Sequence, residues 1–244
     1  MTELLVILVA VVIGGFVKGV TGSGLPVVAI PIMATFIGVE QAVVIMVIPS
    51  ITSNLQLIGA NRQAFEQTRH LRSMVVVGIF GVALGTFVLT TVDEDIMGLV
   101  LAAVIIGYIA VNQLRPAFEL SERLAARTAI PIGFLSGTLQ GSSGMSSPLL
   151  SPYLHSYRMP RQAYVLSLTV LFLVYGIIQL PALAVAGLLT VERLVLGVIA
   201  VIPIYLSLKA GIRLGSRITN LAFDRWVFAV LGLTAAKLNA DAFL

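Results

Sequence analysis

A single lysine interrupts the apolar stretch near the N-terminus of this sequence. Lys18 is the only charged residue between Leu4 and Val39. An ammonium group in such surroundings needs hydrogen-bond acceptors or an anion nearby, because its burial alone is costly. The alternative is that the side chain extends to a polar interface and is solvated there. Since Lys18 lies roughly 14 residues, or ~21 Å of helix, beyond Leu4, we expect it to serve a binding site.

Two glycine- and serine-rich segments are each followed by a proline that can lie in the first turn of a helix. They are Thr21-Gly22-Ser23-Gly24 before Pro26 and Gln140-Gly141-Ser142-Ser143-Gly144 before Pro148. Ser147 is suited to the N-cap position of the second helix. The first amides of a helix lack intrahelical acceptors and carry partial positive charge, so they bind anions. Both segments are therefore candidate anion-binding tips.

Other glycines are better explained by helix packing than by ligand binding. Pairs of small residues spaced four apart allow two helices to approach closely in a membrane. This is the preferred interpretation for Gly15, Gly19, Gly81, Gly85, Gly211 and Gly215. For the two tips, close packing remains the alternative to ligand binding.

Polar residues inside apolar stretches complete the set of candidates. Asn54 and Tyr175 are included, although hydrogen bonding between helices explains such residues equally well. The candidate binding residues are Lys18, Thr21, Gly22, Ser23, Gly24, Asn54, Gln140, Gly141, Ser142, Ser143, Gly144, Ser147 and Tyr175. With no cysteine, no HExxH and no Walker A motif, the sequence indicates neither an enzyme nor a metal or cofactor site.

The composition indicates that these residues lie in a membrane protein. Hydrophobic residues make up 58% of the 244 residues and charged residues 11%, whereas soluble domains carry about 25% charged residues. The mean hydropathy is +1.04. Continuous apolar runs predict membrane-spanning helices rather than a barrel, so we expect an all-α membrane protein with the lipid bilayer as a partner. The net charge of +4 fits basic cytoplasmic loops and not a nucleic-acid partner.

Similar segments recur about half a chain apart. Gly15-Phe16-Val17-Lys18-Gly19 aligns with Gly133-Phe134-Leu135-Ser136-Gly137 at an offset of 118, which places Lys18 opposite Ser136. An offset of 121 places Asn54 opposite Tyr175. This pattern predicts two membrane repeats, residues 1–113 and 128–244, joined by a cytoplasmic linker over 114–127.

Each repeat is predicted to hold five segments, of which the first two form a short hairpin around the glycine- and serine-rich tip. The first-half segments are Leu4–Val20, Pro26–Gly38, Gln41–Ile58, Ser73–Thr90 and Ile96–Gln113. Those of the second half are Thr128–Gln140, Pro148–Tyr157, Gln162–Ala186, Leu194–Leu208 and Trp226–Leu238. Because five is odd and basic loops stay in the cytoplasm, the halves should have inverted topology, with both tips meeting near the membrane midplane.

The duplicated Gly-Phe-x-x-Gly segments, their tips and Gly211-Ile212-Arg213-Leu214-Gly215 resemble the TauE/SafE sulfite exporter family, also called toluene-sulfonate-uptake permeases. The resemblance implies a carrier in a bacterial or archaeal inner membrane, moving small anions such as sulfite, sulfoacetate or other organosulfonates. From the residues alone, alternating access around an anion site is the first hypothesis. An anion channel and a carrier for another small organic anion remain alternatives, and a homo-oligomer is left open.

Overall fold

Helices form all the regular structure in the part of the chain that the structure describes. The computed structural model describes residues 2–114, 121–214 and 220–241, and within these ranges it contains no strand. The α-helices are α1 (Thr2–Thr21), α2 (Leu25–Ile37), α3 (Val39–Asn61), α4 (Leu71–Thr91), α5 (Glu94–Leu114), α6 (Glu122–Ser143), α7 (Ser147–His155), α8 (Arg161–Val185), α9 (Val191–Leu214) and α10 (Asn220–Asp241), with a 3₁₀ helix over Arg62–Gln67. The all-α prediction is confirmed.

Within the described ranges, five helical segments are long and apolar enough to cross a bilayer. They are Glu3–Thr21, Val39–Gln67, Leu71–Thr91, Arg161–Val185 and Val191–Leu214. A span needs about 20 mainly apolar residues, which each of these supplies. The chain is therefore a multi-pass membrane protein.

The second half begins earlier than its apolar residues suggest. Helix α6 starts at Glu122, and the Ser121 hydroxyl accepts a hydrogen bond from the Leu124 amide at 3.4 Å. A serine N-cap followed by good helix formers extends a helix beyond its hydrophobic part. Part of the predicted linker over 114–127 is thus helical, while residues 115–120 lie outside the described residues.

Helices of one half pack against helices of the other through glycines. Helix α1 packs along α9, and α4 packs along α6. A Cβ atom at Gly19 would lie 2.3 Å from the Leu208 carbonyl oxygen, and one at Gly137 would lie 2.2 Å from the Gly78 carbonyl oxygen. Such contacts are the small-residue packing predicted from the sequence, which brings helix backbones together. Gly215 lies outside the described residues.

The bundle has two chemically different ends. At one, which we call the basic end, Arg161 donates to the Val20 carbonyl at 3.1 Å and Arg69 pairs with Glu122. At the other, which we call the acidic end, Arg193 pairs with Glu40 at 2.8 Å. A polar pocket at the acidic end is lined by Ile37, Glu40, Gln41, Leu89, Thr90, Val92, Glu94, Met97 and Arg193.

The two tips lie at different depths. Gly22 packs on Val165, which is one turn into α8 from the basic end. Gly144 packs on Ile30 and on Val43, and Val43 is one turn into α3 from the acidic end. The sequence interpretation pictured both tips at one level. In the structure each tip extends beyond the level of the other, because α1 and α6, at 20 and 22 residues, are each about 30 Å long.

Candidate functional site

Lys18 is buried in α1 and bonded to α3. Its side chain is 1% exposed, and its Nζ donates to Ser53 Oγ at 2.9 Å and to Asn54 Oδ1 at 2.5 Å. The Ser53 hydroxyl hydrogen is directed to the Ser50 carbonyl at 3.0 Å, so its oxygen is free to accept from Lys18. An ammonium group carries three N–H donors, and these contacts use two of them. The third donor is available to a ligand.

The acceptors that bind Lys18 are neutral. The ion pairs given for the described part of the chain are Arg69–Glu122 and Arg193–Glu40, and neither involves Lys18. Removing an ammonium group from water without a counter-charge is unfavourable, and more so in a bilayer than in a soluble core. Anion binding next to Lys18 would remove this cost.

A small cavity lies between the two tips at the mid-height of the bundle. Ser50 and Phe172, near the middle of α3 and α8, lie on its wall, as do residues from both hairpins. Its lining is Lys18, Pro26, Ser50, Asn54, Gln140, Met145, Ser146, Ser147 and Phe172. The open space is about that of one water molecule. No carboxylate is among these lining residues, so the cavity wall suits an anion.

Helix α7 adds hydrogen-bond donors to this wall. The Ser147 hydroxyl is buried, with the residue 3% exposed, and has no partner in the described chain. Pro148 has no N–H, and the amides of Leu149 and Leu150 both donate to the Ser146 carbonyl. Ser147 therefore supplies a buried hydroxyl without a partner in the described chain. Residues 148–150 add no free amide, so the first turn offers fewer bare amides than a helix N-terminus generally does.

The start of α7 differs by one residue from the sequence prediction. Ser147 is the first helical residue, and Ser146 precedes it without capping the helix through its side chain. The Ser146 hydroxyl instead donates to Gln140 Oε1 at 2.9 Å. The N-cap position predicted for Ser147 is therefore occupied by Ser146, whose hydroxyl hydrogen is used within the cavity wall.

The first tip lies beside the cavity without lining it. The Thr21 hydroxyl contacts the carbonyls of Val17 at 3.0 Å and Ser23 at 2.5 Å. Gly22 has a φ of 83° and Gly24 a φ of 98°, values that favour glycine. The structure places these four predicted residues in the turn that leads to Pro26, which does line the cavity.

Most of the second tip is used for packing. A Cβ atom at Gly141 would lie 2.3 Å from the Val82 carbonyl oxygen, and Gly144 packs on Ile30. The hydroxyls of Ser142 and Ser143 donate to the Leu139 carbonyl at 3.5 and 2.8 Å. Gln140 and Ser147, which lie before and after these residues, reach the cavity.

Tyr175 lies in a different place from Lys18 and Asn54. Its hydroxyl oxygen lies 3.2 Å from Ser136 Oγ and 3.2 Å from the carbonyl oxygens of Met74 and Gly133, and its single hydrogen can be donated to either carbonyl. The ring packs on Gly78 of α4. The structure thus brings Lys18, Asn54, Gln140 and Ser147 together at the cavity and leaves Tyr175 at the junction of α4, α6 and α8.

Several lining residues, among them Ser50, Ser146 and Phe172, lay outside the set of candidate binding residues. Ser50, Ser53 and Asn54 lie on one face of α3, because residues three and four apart are neighbours on a helix. That spacing was a usable signal. Phe172 carries no comparable signal, because an apolar residue in an apolar helix looks the same whether it faces lipid, core or cavity.

Comparison with known families identifies the family to which the chain belongs. The model of the family described as sulfite exporter TauE/SafE matches residues 6–238. The chain belongs to the TauE/SafE family. Its members are membrane transporters of sulfur anions such as sulfite and not enzymes. No curated protein and no solved structure matches the chain. The TauE/SafE assignment confirms the resemblance inferred from the glycine-rich motifs.

Proposed function

We propose that this protein is a secondary transporter that exports a small sulfur oxyanion and binds it beside Lys18. The observation that carries the proposal is the buried Lys18 ammonium held by two neutral acceptors. The anion would accept the third N–H of Lys18 and donors from Ser147 and Gln140. Sulfite, sulfoacetate and other organosulfonates all present oxygens of this kind, and sulfite is the smallest of them.

The size of the cavity supports a carrier over an open pore. An ion with four heavy atoms does not fit into the space of about one water molecule. The bundle must therefore open before the anion binds. The Arg161–Val20 contact closes the basic end and the Glu40–Arg193 pair closes the acidic end. Opening one end at a time is alternating access.

The contacts between helices support inverted repeats that move against each other. Helix α1 packs on α9, and the corresponding pair in exchanged order is α6 on α4. Lys18 bonds to Asn54, and the residues at the aligned positions, Ser136 and Tyr175, also meet. In this proposal the basic end faces the cytoplasm of a bacterial or archaeal cell, in keeping with the positive-inside rule.

Sulfite flux into proteoliposomes tests the proposal. Lys18→Met keeps a long side chain and removes the charge, so we expect saturable sulfite flux to fall to the background of protein-free vesicles. Lys209→Met is the matched control, because Lys209 is exposed on α9 and lies over the Tyr205 ring, with 4.3 Å from its Nζ to the ring centroid. Both variants should be compared at equal amounts of folded protein.

Three results would contradict parts of the proposal. Wild-type protein without saturable sulfite flux would remove sulfite as the substrate, and sulfoacetate, taurine and small carboxylates would then be screened by thermal shift. Unchanged flux in Lys18→Met would remove Lys18 from the site. Unitary currents in planar bilayers would favour the anion channel.

A further inference from the structure

Gln179 of α8 lies behind the cavity wall and is bonded to the end of α6. The residue is 0% exposed, and it is not among the residues that line the cavity. Its Nε2 donates to the carbonyl of Gln140 at 3.1 Å and to that of Gly141 at 3.2 Å. Its Oε1 accepts from Gln140 Nε2 at 3.3 Å. One buried carboxamide therefore contacts both the backbone and the side chain of Gln140.

These contacts fix the orientation of both carboxamides. Carbonyl oxygens only accept hydrogen bonds, so the Gln179 nitrogen must face the two backbone carbonyls. The Gln179 oxygen then faces Gln140 and can only accept, which requires the Gln140 nitrogen on that side. The Gln140 oxygen is left to accept from the Ser146 hydroxyl at 2.9 Å. The orientation of the Gln179 carboxamide thus determines the orientation of the Gln140 carboxamide.

The orientation of the Gln140 carboxamide decides whether it presents a hydrogen-bond donor or an acceptor to the cavity. Its oxygen is occupied by Ser146, and one of its two N–H donors is occupied by Gln179. The other N–H is the group for which the described chain supplies no acceptor. A carboxamide turned the other way would present its oxygen, which repels an anion.

We propose that Gln179 is a positioning residue that holds Gln140 as a hydrogen-bond donor and so makes the cavity selective for anions. This inference rests on the proposed function, because it assigns a selectivity element of that same site. The first half has Gly22 and Ile58 at the positions aligned with Gln140 and Gln179. Glycine and isoleucine have no side-chain amide, so this device belongs to the second half alone.

A double-mutant cycle of sulfite transport in proteoliposomes tests the inference. We expect Gln179→Met to raise the KM for sulfite about tenfold, the loss typical of one hydrogen bond to a charged group, with little change in maximal rate. Gln140→Met should raise KM by a similar factor, and the double variant should be no worse than Gln140→Met. Gln162→Met is the control, because Gln162 is exposed on the same helix.

Other outcomes separate the alternatives. A role in packing alone would lower the yield and maximal rate of Gln179→Met and add to the effect of Gln140→Met, and this would overturn the inference, as would an unchanged KM. If Gln179→Met does not fold, Gln179→Glu keeps the shape, leaves at most one hydrogen-bond donor in place of two and should again raise KM; failure of both to fold would also assign a structural role. Wild-type protein without sulfite flux would overturn the proposed function and this inference together.

Discussion

Corresponding residues of the two halves meet in the structure, but their contacts differ in kind. In the first half Lys18 bonds to Ser53 and Asn54 and keeps a donor for a ligand. In the second half Ser136 meets Tyr175, whose hydroxyl also lies within hydrogen-bond distance of two backbone carbonyls. The first site is polar and borders a cavity, whereas the second is filled by an aromatic ring against Gly78.

In the proposed pair of repeats, this difference separates the features that both halves share from those that only one half has. Both halves keep the glycines that let α1 approach α9 and α6 approach α4, because backbone contact admits no side chain in either pair. Among the residues whose burial the structure describes, Lys18 is the one buried charge. A second buried lysine would add a second desolvation cost and would bring like charges into one bundle.

The largest loss of stability is expected from substitutions at Gly19 and Gly137, which lie where helices of the two halves make backbone contact. Gly137→Val should destabilise the protein by more than about 3 kcal/mol, because its Cβ would lie 2.2 Å from the Gly78 carbonyl oxygen, which cannot move independently of the helix. Gly19→Val should do the same in the first half. Fluorescence-detected size-exclusion chromatography measures the folded fraction. Gly98→Ala, with open space around its Cβ, is the control, and a large difference between the two halves would contradict their equivalence.

Moving the lysine from residue 18 to residue 136 should weaken sulfite binding at the first position and create no binding at the second. Lys18→Ser should weaken sulfite binding roughly ten- to a hundredfold, the loss of a charged hydrogen bond. Adding Ser136→Lys should not restore it, because Tyr175 occupies the space beside residue 136. Thermal shift with sulfite measures both variants. Restored binding in the double variant would show that the halves are chemically interchangeable.

A smaller effect is expected at the second junction. Tyr175→Phe removes the hydroxyl and should destabilise the protein by about 1 kcal/mol, because the Gly133 and Met74 carbonyls lie inside helices and keep their backbone partners. The KM for sulfite should not change. Thermal unfolding and flux separate the two quantities, and a raised KM would assign Tyr175 to the substrate site.

The smallest effect is expected from substitutions at the two ends of the bundle, which should change access to the cavity. Glu40 and Arg161 occupy aligned positions at these ends. The chain has no cysteine, so Ser50→Cys gives a single reporter in the cavity wall. In that background Glu40→Gln should raise labelling by an impermeant thiol reagent from the acidic end roughly two- to fivefold, since partly exposed ion pairs stabilise by at most about 1 kcal/mol. Arg161→Met should raise labelling of the same cysteine from the basic end.

Glu192→Gln is the control for the labelling experiment, because Glu192 lies in the first turn of α9 and is exposed. Labelling that rises equally from both sides in either variant would contradict separate closures at the two ends. A lack of any change would show that neither contact limits access to the cavity.

The sequence indicated more of the fold than of the site. Apolar runs and the glycine spacing predicted the helices, because hydropathy and small-residue patterns act locally. Lys18 was found for the same reason, as one charge in an apolar run. The tips were predicted to meet near the membrane midplane, whereas they lie at different depths, since their depth depends on how far α1 and α6 extend beside α9 and α4.

The sequence by itself indicated that this protein lies in a membrane, is helical and carries a lysine, Lys18, within an apolar segment. Only the tertiary structure decided which groups surround that lysine. Asn54 is 36 residues from Lys18, and Gln179 is 39 residues from Gln140. Contacts across such distances follow from the packing of several helices at once, and residue order records local preference but not which faces meet.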